Sequence, residues 1–337
     1  MKRLPYLLGL CLLLPLSAQA APTKQEISLK VLTDFVIPAY ENLAVQATEQ
    51  KKVWQTTCNA ADLKESFQKT SDAWASVQNI NFGPVILLLR RDRMYHWPER
   101  RNAVSKSLNH LLADKNNEKA LTHKYFSASS VAVQGLPAME RLLYTDLLKD
   151  DWSCKVGRTI ADNIAEIATG TVKDWKDTLT YIKEGKSHPI YFESMDEVAI
   201  RLFTELLTGF QMISDQKVAL PMSTSITKAN GKRAEGWRSH RSTRYIQKNA
   251  QALMDFSKPF MSFLPEPDRN ELLDQFATFE KAADDLPPSI KDAVSDEKGR
   301  ENLKSFLSTA RTTRNLIVDK FTKQLDLAIG FNSLDGD

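Results

Sequence analysis

Nowhere does this sequence offer the ~20 consecutive apolar residues that a bilayer-spanning helix requires. Its longest apolar run covers residues 7–16, and nothing comparable follows it. Charge of one sign is missing as well: 45 Lys and Arg stand against 42 Asp and Glu, a net charge of +3. Such a balance carries no nucleic-acid footprint. The basic clusters Arg90, Arg91, Arg93 and Arg238, Arg241, Arg244 are local, and the plain expectation for them is solvated or paired side chains. Histidine is scarce, five in all (His96, His110, His123, His188, His240), with no two spaced as ligands on one helical turn. There is no His-Glu-x-x-His, the arrangement by which a helix holds zinc beside a general base. There is no Glu-x-x-His either, which removes a ferritin-type carboxylate metal site. Runs of alternating β-branched residues bounded by turns are few, so a sheet has little to build on.

What is present begins with the three zones of a secretory signal: Lys2 and Arg3, the apolar run, and the small-residue site Ala18-Gln19-Ala20. Residues 1–20 are therefore expected to be removed, leaving Ala21 first and placing the protein in the periplasm. Loss of Lys2 and Arg3 lowers the net charge of +3 by two, to +1. Cys11 sits inside the apolar run behind Leu10, where a lipoprotein signal needs a small residue, so lipid anchoring is not expected. Cys58 and Cys154, 96 positions apart, remain in an oxidising compartment, and a disulfide between them is expected. A loop of that length is worth roughly 4–5 kcal/mol in the chain-entropy estimate.

Apolar residues recur at spacings of three and four almost throughout, which makes the fold class all-α. Ile27, Val31, Phe35, Tyr40, Leu43 and Ala47 place one long helix over 25–54, kinked at Pro38, where a backbone donor is lost. Leu63, Phe67, Ala73 and Trp74 mark a partner helix over 60–77. Pro98 suits the first turn of a helix running to Leu112. Residues 127–144 read as helical although Gly135 and Pro137 interrupt them, and 150–154 read as a loop before a second set of helices. That second set covers about 160–183, 194–213, 239–263, 268–284 and 296–329. Two packed helical bundles, 21–150 and 151–337, fit a chain of this length better than one core. A faint internal echo supports a repeat: His96-Trp97-Pro98-Glu99-Arg100-Arg101-Asn102 precedes one helix, and Trp237-Arg238-Ser239-His240-Arg241-Ser242 opens another. Residues 221–235 read as a long loop, a length that in a compact domain is usually functional or disordered.

At Gln134-Gly135-Leu136-Pro137-Ala138-Met139-Glu140 the chain resembles the signature of imelysin-like proteins, Gly-x-His-x-x-Glu, with Pro137 where that family has histidine. The likeness extends to Arg93-Met94-Tyr95-His96-Trp97-Pro98, to Glu235-Gly236-Trp237-Arg238-Ser239, and to the closing Ile329-Gly330-Phe331-Asn332-Ser333-Leu334-Asp335-Gly336-Asp337. Members of that family are bacterial surface or periplasmic proteins of two helical bundles, and include a peptidase and proteins linked to iron uptake. The resemblance thus implies a polar site at the bundle junction, near the signature.

Pro137 offers no ligand atom, so the His and Glu that would share a helix face in the family pattern are reduced here to Glu140. Glu140 stands as the candidate metal ligand, or as an ion-pair partner for Arg93 or Arg201. Gly135, Pro137, Glu140, Arg93, Trp97, Arg201, Glu235, Arg238, Ser239 and Ser242 form the candidate ligand-binding set. Core anchoring is the plainer role for Trp97 and Trp237, and helix capping for Ser239 and Ser242. The expected function is a non-catalytic periplasmic protein that binds a small polar or metal-linked ligand at the bundle interface, a divalent metal or iron included, with a place in iron uptake. A metallopeptidase with relocated ligands and a module docking on an envelope protein partner are the alternatives.

Overall fold

The structure is a computed structural model that describes residues 21–115 and 117–330. Residues 1–20, the expected export signal, and the closing stretch 331–337 lie outside the described residues. The chain is all-α; a lone antiparallel bridge between His188 and Phe192 is the nearest thing to a strand among the described residues.

Thr23 caps α1 (Lys24–Val31) reciprocally with Glu26, each satisfying a backbone N–H of the other's turn. A π-helical turn, Leu32–Val36, joins α1 without a break to α2 (Ile37–Thr56), in whose first turn Pro38 stands. The long helix expected over 25–54 is therefore continuous, and the accommodation to proline is a widened turn just before it. Asn59 caps α3 (Ala60–Ala75), and a 3-10 stretch, Gly83–Leu89, leads into the short α4 (Arg90–Met94).

Next comes α5 (Ala103–Ala113), and the expectation that Pro98 opens it is corrected: Pro98 lies in the preceding loop, after a cis Trp97–Pro98 bond. Glu99 explains the later start, because its Oε2 accepts the Val104 N–H at 2.8 Å and so caps the helix from outside. After α6 (His123–Phe126), α7 (Leu136–Tyr144) starts directly behind Gly135. The interruption expected inside a helix over 127–144 is thus a helix start, with Pro137 in the first turn, where no N–H partner is needed. The loop expected over 150–154 is corrected too. Asp150 and Ser153 form a reciprocal cap at 2.9 and 3.0 Å, so α8 (Asp151–Lys183) already includes Cys154.

Ser194 caps α9 (Met195–Gln211), which widens into a second π-helical stretch, Met212–Ala219, ahead of α10 (Leu220–Met222). Residues 223–233 cross the surface with two single 3-10 turns and 234–241 turn inward, and then come α11 (Ser242–Met261), α12 (Glu266–Asp284), α13 (Ile290–Ala293) and α14 (Glu297–Leu325), the last capped by Asp296.

In one layer α2 packs along α8 and α3, and α7 fills the space between α3, α5 and α8. In the other, α11, α12 and α14 pack with α9, and α1 lies against α9 and α11. The unbroken α1–α2 rod therefore runs from one layer into the other, while α8, just past residue 150, belongs with α2. The α2–α8 crossing is close because α8 has Gly157 there; a Cβ would penetrate the Trp54 ring. Cys58, beyond the end of α2, is disulfide-bonded to Cys154 in the first turn of α8, with Cα atoms 6.0 Å apart.

Candidate functional site

The signature is held in place before it presents anything. A Cβ on Gly135 would collide with the carbonyls of Arg93 and Met94, so only glycine lets α7 begin against the end of α4. Arg93 completes the clamp: its Nε donates to Gln134 Oε1 at 2.7 Å and its Nη2 to Asn163 Oδ1 at 2.9 Å. Asn163 Nδ2 in turn donates to the Gln134 carbonyl at 2.9 Å. Arg93 therefore fixes the backbone of the signature and does not meet Glu140.

One turn into α7, Glu140 is buried and meets the other half of the chain. Its Oε1 accepts both the backbone N–H of Ser239 at 3.0 Å and the Ser239 hydroxyl at 2.6 Å. Burial raises the pKa of this carboxyl, and the two Ser239 bonds oppose the rise. Pro137 and Glu140, three apart on one helical face, line a small cavity of about 40 Å3 together with Arg141. The opposite walls come from the two echoing segments and the residue just before each: Tyr95, His96, Trp97 and Glu99 on one side, Gly236, Trp237 and Arg238 on the other, with Lys232 at the rim. Left-handed residues lie near both helix starts: Arg101 and Asn102 (φ 57° and 54°) directly before α5, and His240 (φ 57°) two residues before α11.

The charges around this cavity are unequally satisfied. Arg141 pairs with Glu99 and donates to Ser105 Oγ at 2.8 Å and to the Pro137 carbonyl at 3.0 Å; burial pushes its pKa down to about 9. Glu99 spends its other oxygen on Val104. Arg241 and Arg244 both pair with Asp72, as the plain expectation for that basic cluster has it. Arg238 differs. Its guanidinium carbon lies 4.3 Å from the centre of the Trp237 ring, and it has no hydrogen bond or ion pair among the described residues. Burial lowers its pKa, and the more distant Glu140 charge opposes that.

The remaining candidates lie elsewhere. Arg201 is exposed on α9 and does not line the cavity. Ser242 Oγ accepts the Ile290 N–H at 3.1 Å and so ties α11 to α13. Glu235 sits deeper, in a fully buried network: its Oε1 accepts from Gln78 at 2.6 Å and its Oε2 lies 2.5 Å from Lys217 Nζ. Lys217 also reaches Gln78 Oε1 at 2.8 Å and Asn249 Oδ1 at 2.5 Å, and Asn249 donates to the Ala75 carbonyl at 2.7 Å. Sequence reasoning missed Lys217, Gln78 and Asn249. Only Asn249 left a signal, a polar residue inside the apolar stripe Ile246, Ala250, Leu253 of α11.

The donor set does not suit a resident divalent metal. Among the described residues no three His, Cys, Asp or Glu side chains are grouped to hold one. Glu140 is instead bonded by Ser239 and shares its cavity with Arg141 and Arg238. A larger groove of about 790 Å3 runs between α2, α3 and α11, but much of its charge is internally paired, Lys30 with Asp34 and Lys258 with Asp255. No helix of the described residues is long and apolar enough to cross a membrane.

Comparison with known proteins bears on the whole chain. The imelysin family matches residues 36–316. No curated protein matches. Among solved structures, an imelysin-like protein from Psychrobacter arcticum 273-4 superposes with a TM-score of 0.76 at 18% identity, covering 93% of this chain and 100% of that one. A protein from Parabacteroides distasonis ATCC 8503, provisionally described as an iron-regulated protein A precursor, superposes with a TM-score of 0.70 at 13% identity, covering 92% of this chain and 98% of that one. At such identities the likeness is one of fold.

Proposed function

Since this chain belongs to the imelysin family, we propose that it is a non-catalytic binding protein of the bacterial periplasm, exported by residues 1–20, that takes a small polar ligand at the cavity between its two halves. One observation carries the reading: the signature carboxylate Glu140 is bonded by Ser239 of the other half, at a cavity walled by both echoing segments. A site assembled from α7, the 95–99 loop and the 232–239 loop joins parts of the chain far apart in sequence, as ligand sites between packed units do. The iron-regulated description of the Parabacteroides distasonis protein supports a place in iron uptake for the ligand.

Thermal unfolding of the mature protein against a panel of metal ions, metal chelates and small organic acids tests the reading, with the Glu140→Ala/Ser239→Ala double variant beside it. At least one panel member should raise the wild-type Tm and leave the variant unmoved; a ligand at one hundred times its Kd adds about 2.7 kcal/mol. Failure of every member, or equal stabilisation of both proteins, removes the site. Chelator-sensitive cleavage of unfolded casein by the same preparation would replace binding with peptidase activity.

A further inference from the structure

Of the three arginines at the start of α11, two are paired with Asp72 and one is left without an acceptor, and that one faces the signature cavity. We propose that the ligand of this cavity enters as an oxyanion, gripped by Arg238, and that Glu140 is a hydrogen-bonding anchor and not a metal ligand. This rests on the binding reading above and adds to it the sign and chemistry of the ligand.

The charge count around the cavity decides the sign. Arg141, Arg238 and Lys232 line it against Glu99 and Glu140. Glu99 is consumed by Arg141 and the Val104 N–H. Glu140 has Oε1 occupied by two donors from Ser239, and burial raises its pKa against the pull of those bonds and of Arg238. What remains without a bonded acceptor among the described residues is the Arg238 guanidinium, with Lys232 exposed at the rim. A bare cation would have to enter past both.

Geometry narrows the chemistry further. A planar guanidinium laid on the Trp237 ring keeps its edge N–H groups free for a fork of two parallel bonds, which carboxylate and phosphate oxygens match. Lys291 Nζ, 5.4 Å from the same ring, adds a further positive charge near the mouth. About 40 Å3 admits a head group of a few heavy atoms and no more, so the rest of a larger ligand would project past Lys232. An iron-bearing ligand would on this account arrive as an anionic chelate, held by its carboxylates.

Calorimetric titration of the full mature protein with sodium citrate and oxalate, with inorganic phosphate and sulfate, and separately with zinc and manganese chloride, tests this. The two anion sets distinguish a carboxylate from a tetrahedral head group. Wild type should bind a member of one anion set and Arg238→Gln should weaken it at least tenfold; Glu140→Gln, which keeps an acceptor for Ser239, is titrated beside it with the cations. Thermal unfolding of both variants shows that they are folded. Divalent-cation binding that Glu140→Gln abolishes would overturn the oxyanion and leave the binding site standing. Equal anion affinity in wild type and Arg238→Gln would also overturn it. No binding of either sign, in any set, would remove the site and the proposal together.

Discussion

Glu205 on α9 is buried, with Oε2 accepting the Asn81 N–H at 3.0 Å and no counter-ion in contact among the described residues. Burial pushes its pKa up to about 7, against the pull of that hydrogen bond and of Arg91 and Arg201. An unfolded chain releases the same proton near pH 4.3. Between those values the native state holds a proton that the unfolded state has lost, so this group's contribution is full below about pH 4 and disappears as pH rises through about 7. Glu205→Gln keeps the acceptor and removes the titration. Its stability relative to wild type should therefore grow from pH 5 to pH 8, by about 2–3 kcal/mol at most. Urea unfolding at both pH values measures this, and a constant difference would count against a raised Glu205. In the sequence Glu205 stands out as the one charged residue between Leu202 and Ile213. Its partner is not legible there, because only the fold brings it against Asn81.

Among the elements, the two π-helical stretches have a common cause. Each lies just ahead of a proline, Leu32–Val36 before Pro38 and Met212–Ala219 before Pro221. Proline supplies no N–H and crowds the carbonyl four residues back, and a widened turn relieves that crowding without ending the helix. Pro38 was legible as a disturbance, but whether the rod would bend, break or widen depended on packing against α9 and α8 on either side of it. The disulfide was more legible, because Cys58 and Cys154 are the two cysteines outside the expected export signal. It clips the end of α2 to the start of α8. Cys58→Ser/Cys154→Ser should lose roughly 2–5 kcal/mol in oxidising buffer. Wild type should show two thiols after denaturation with reductant and none without; unchanged unfolding midpoints for the double variant would sink the stabilising role.

For the whole molecule, the end of α3 and the residues after it are the tie between halves. Ala75, Gln78, Asn79 and Asn81 are bonded by Asn249, by Lys217 and Glu235, and by Glu205, all from beyond residue 200. The Lys217–Glu235 pair is the part with most at stake, since both side chains are 1% exposed. Burial pushes the Lys217 ammonium down and Glu235 holds it up. Lys217→Met strands a buried carboxylate and should cost about 3–5 kcal/mol, most of it recovered when Glu235→Gln is added. Denaturant unfolding of the two single variants and the double closes the cycle. Additive losses would mean that the two charges do not depend on each other.

Helical periodicity settled the class of fold, because apolar residues at spacings of three and four make a buried stripe whatever the stripe packs against. Gly135 and Glu140 were likewise visible as a marked pair, and 221–235 as a long loop, functional or disordered. Their roles were decided only in three dimensions. Gly135 is required by the carbonyls of Arg93 and Met94, some forty residues earlier, and Glu140 is completed by Ser239, about a hundred residues later. Arg93, Arg238 and Arg201 look alike in sequence. In the fold one clamps the signature backbone, one faces the cavity without an acceptor, and one is left to solvent. Local pattern reports which face of a helix avoids water, whereas the partner of a polar group is fixed by whichever distant segment the packed stripes bring against it.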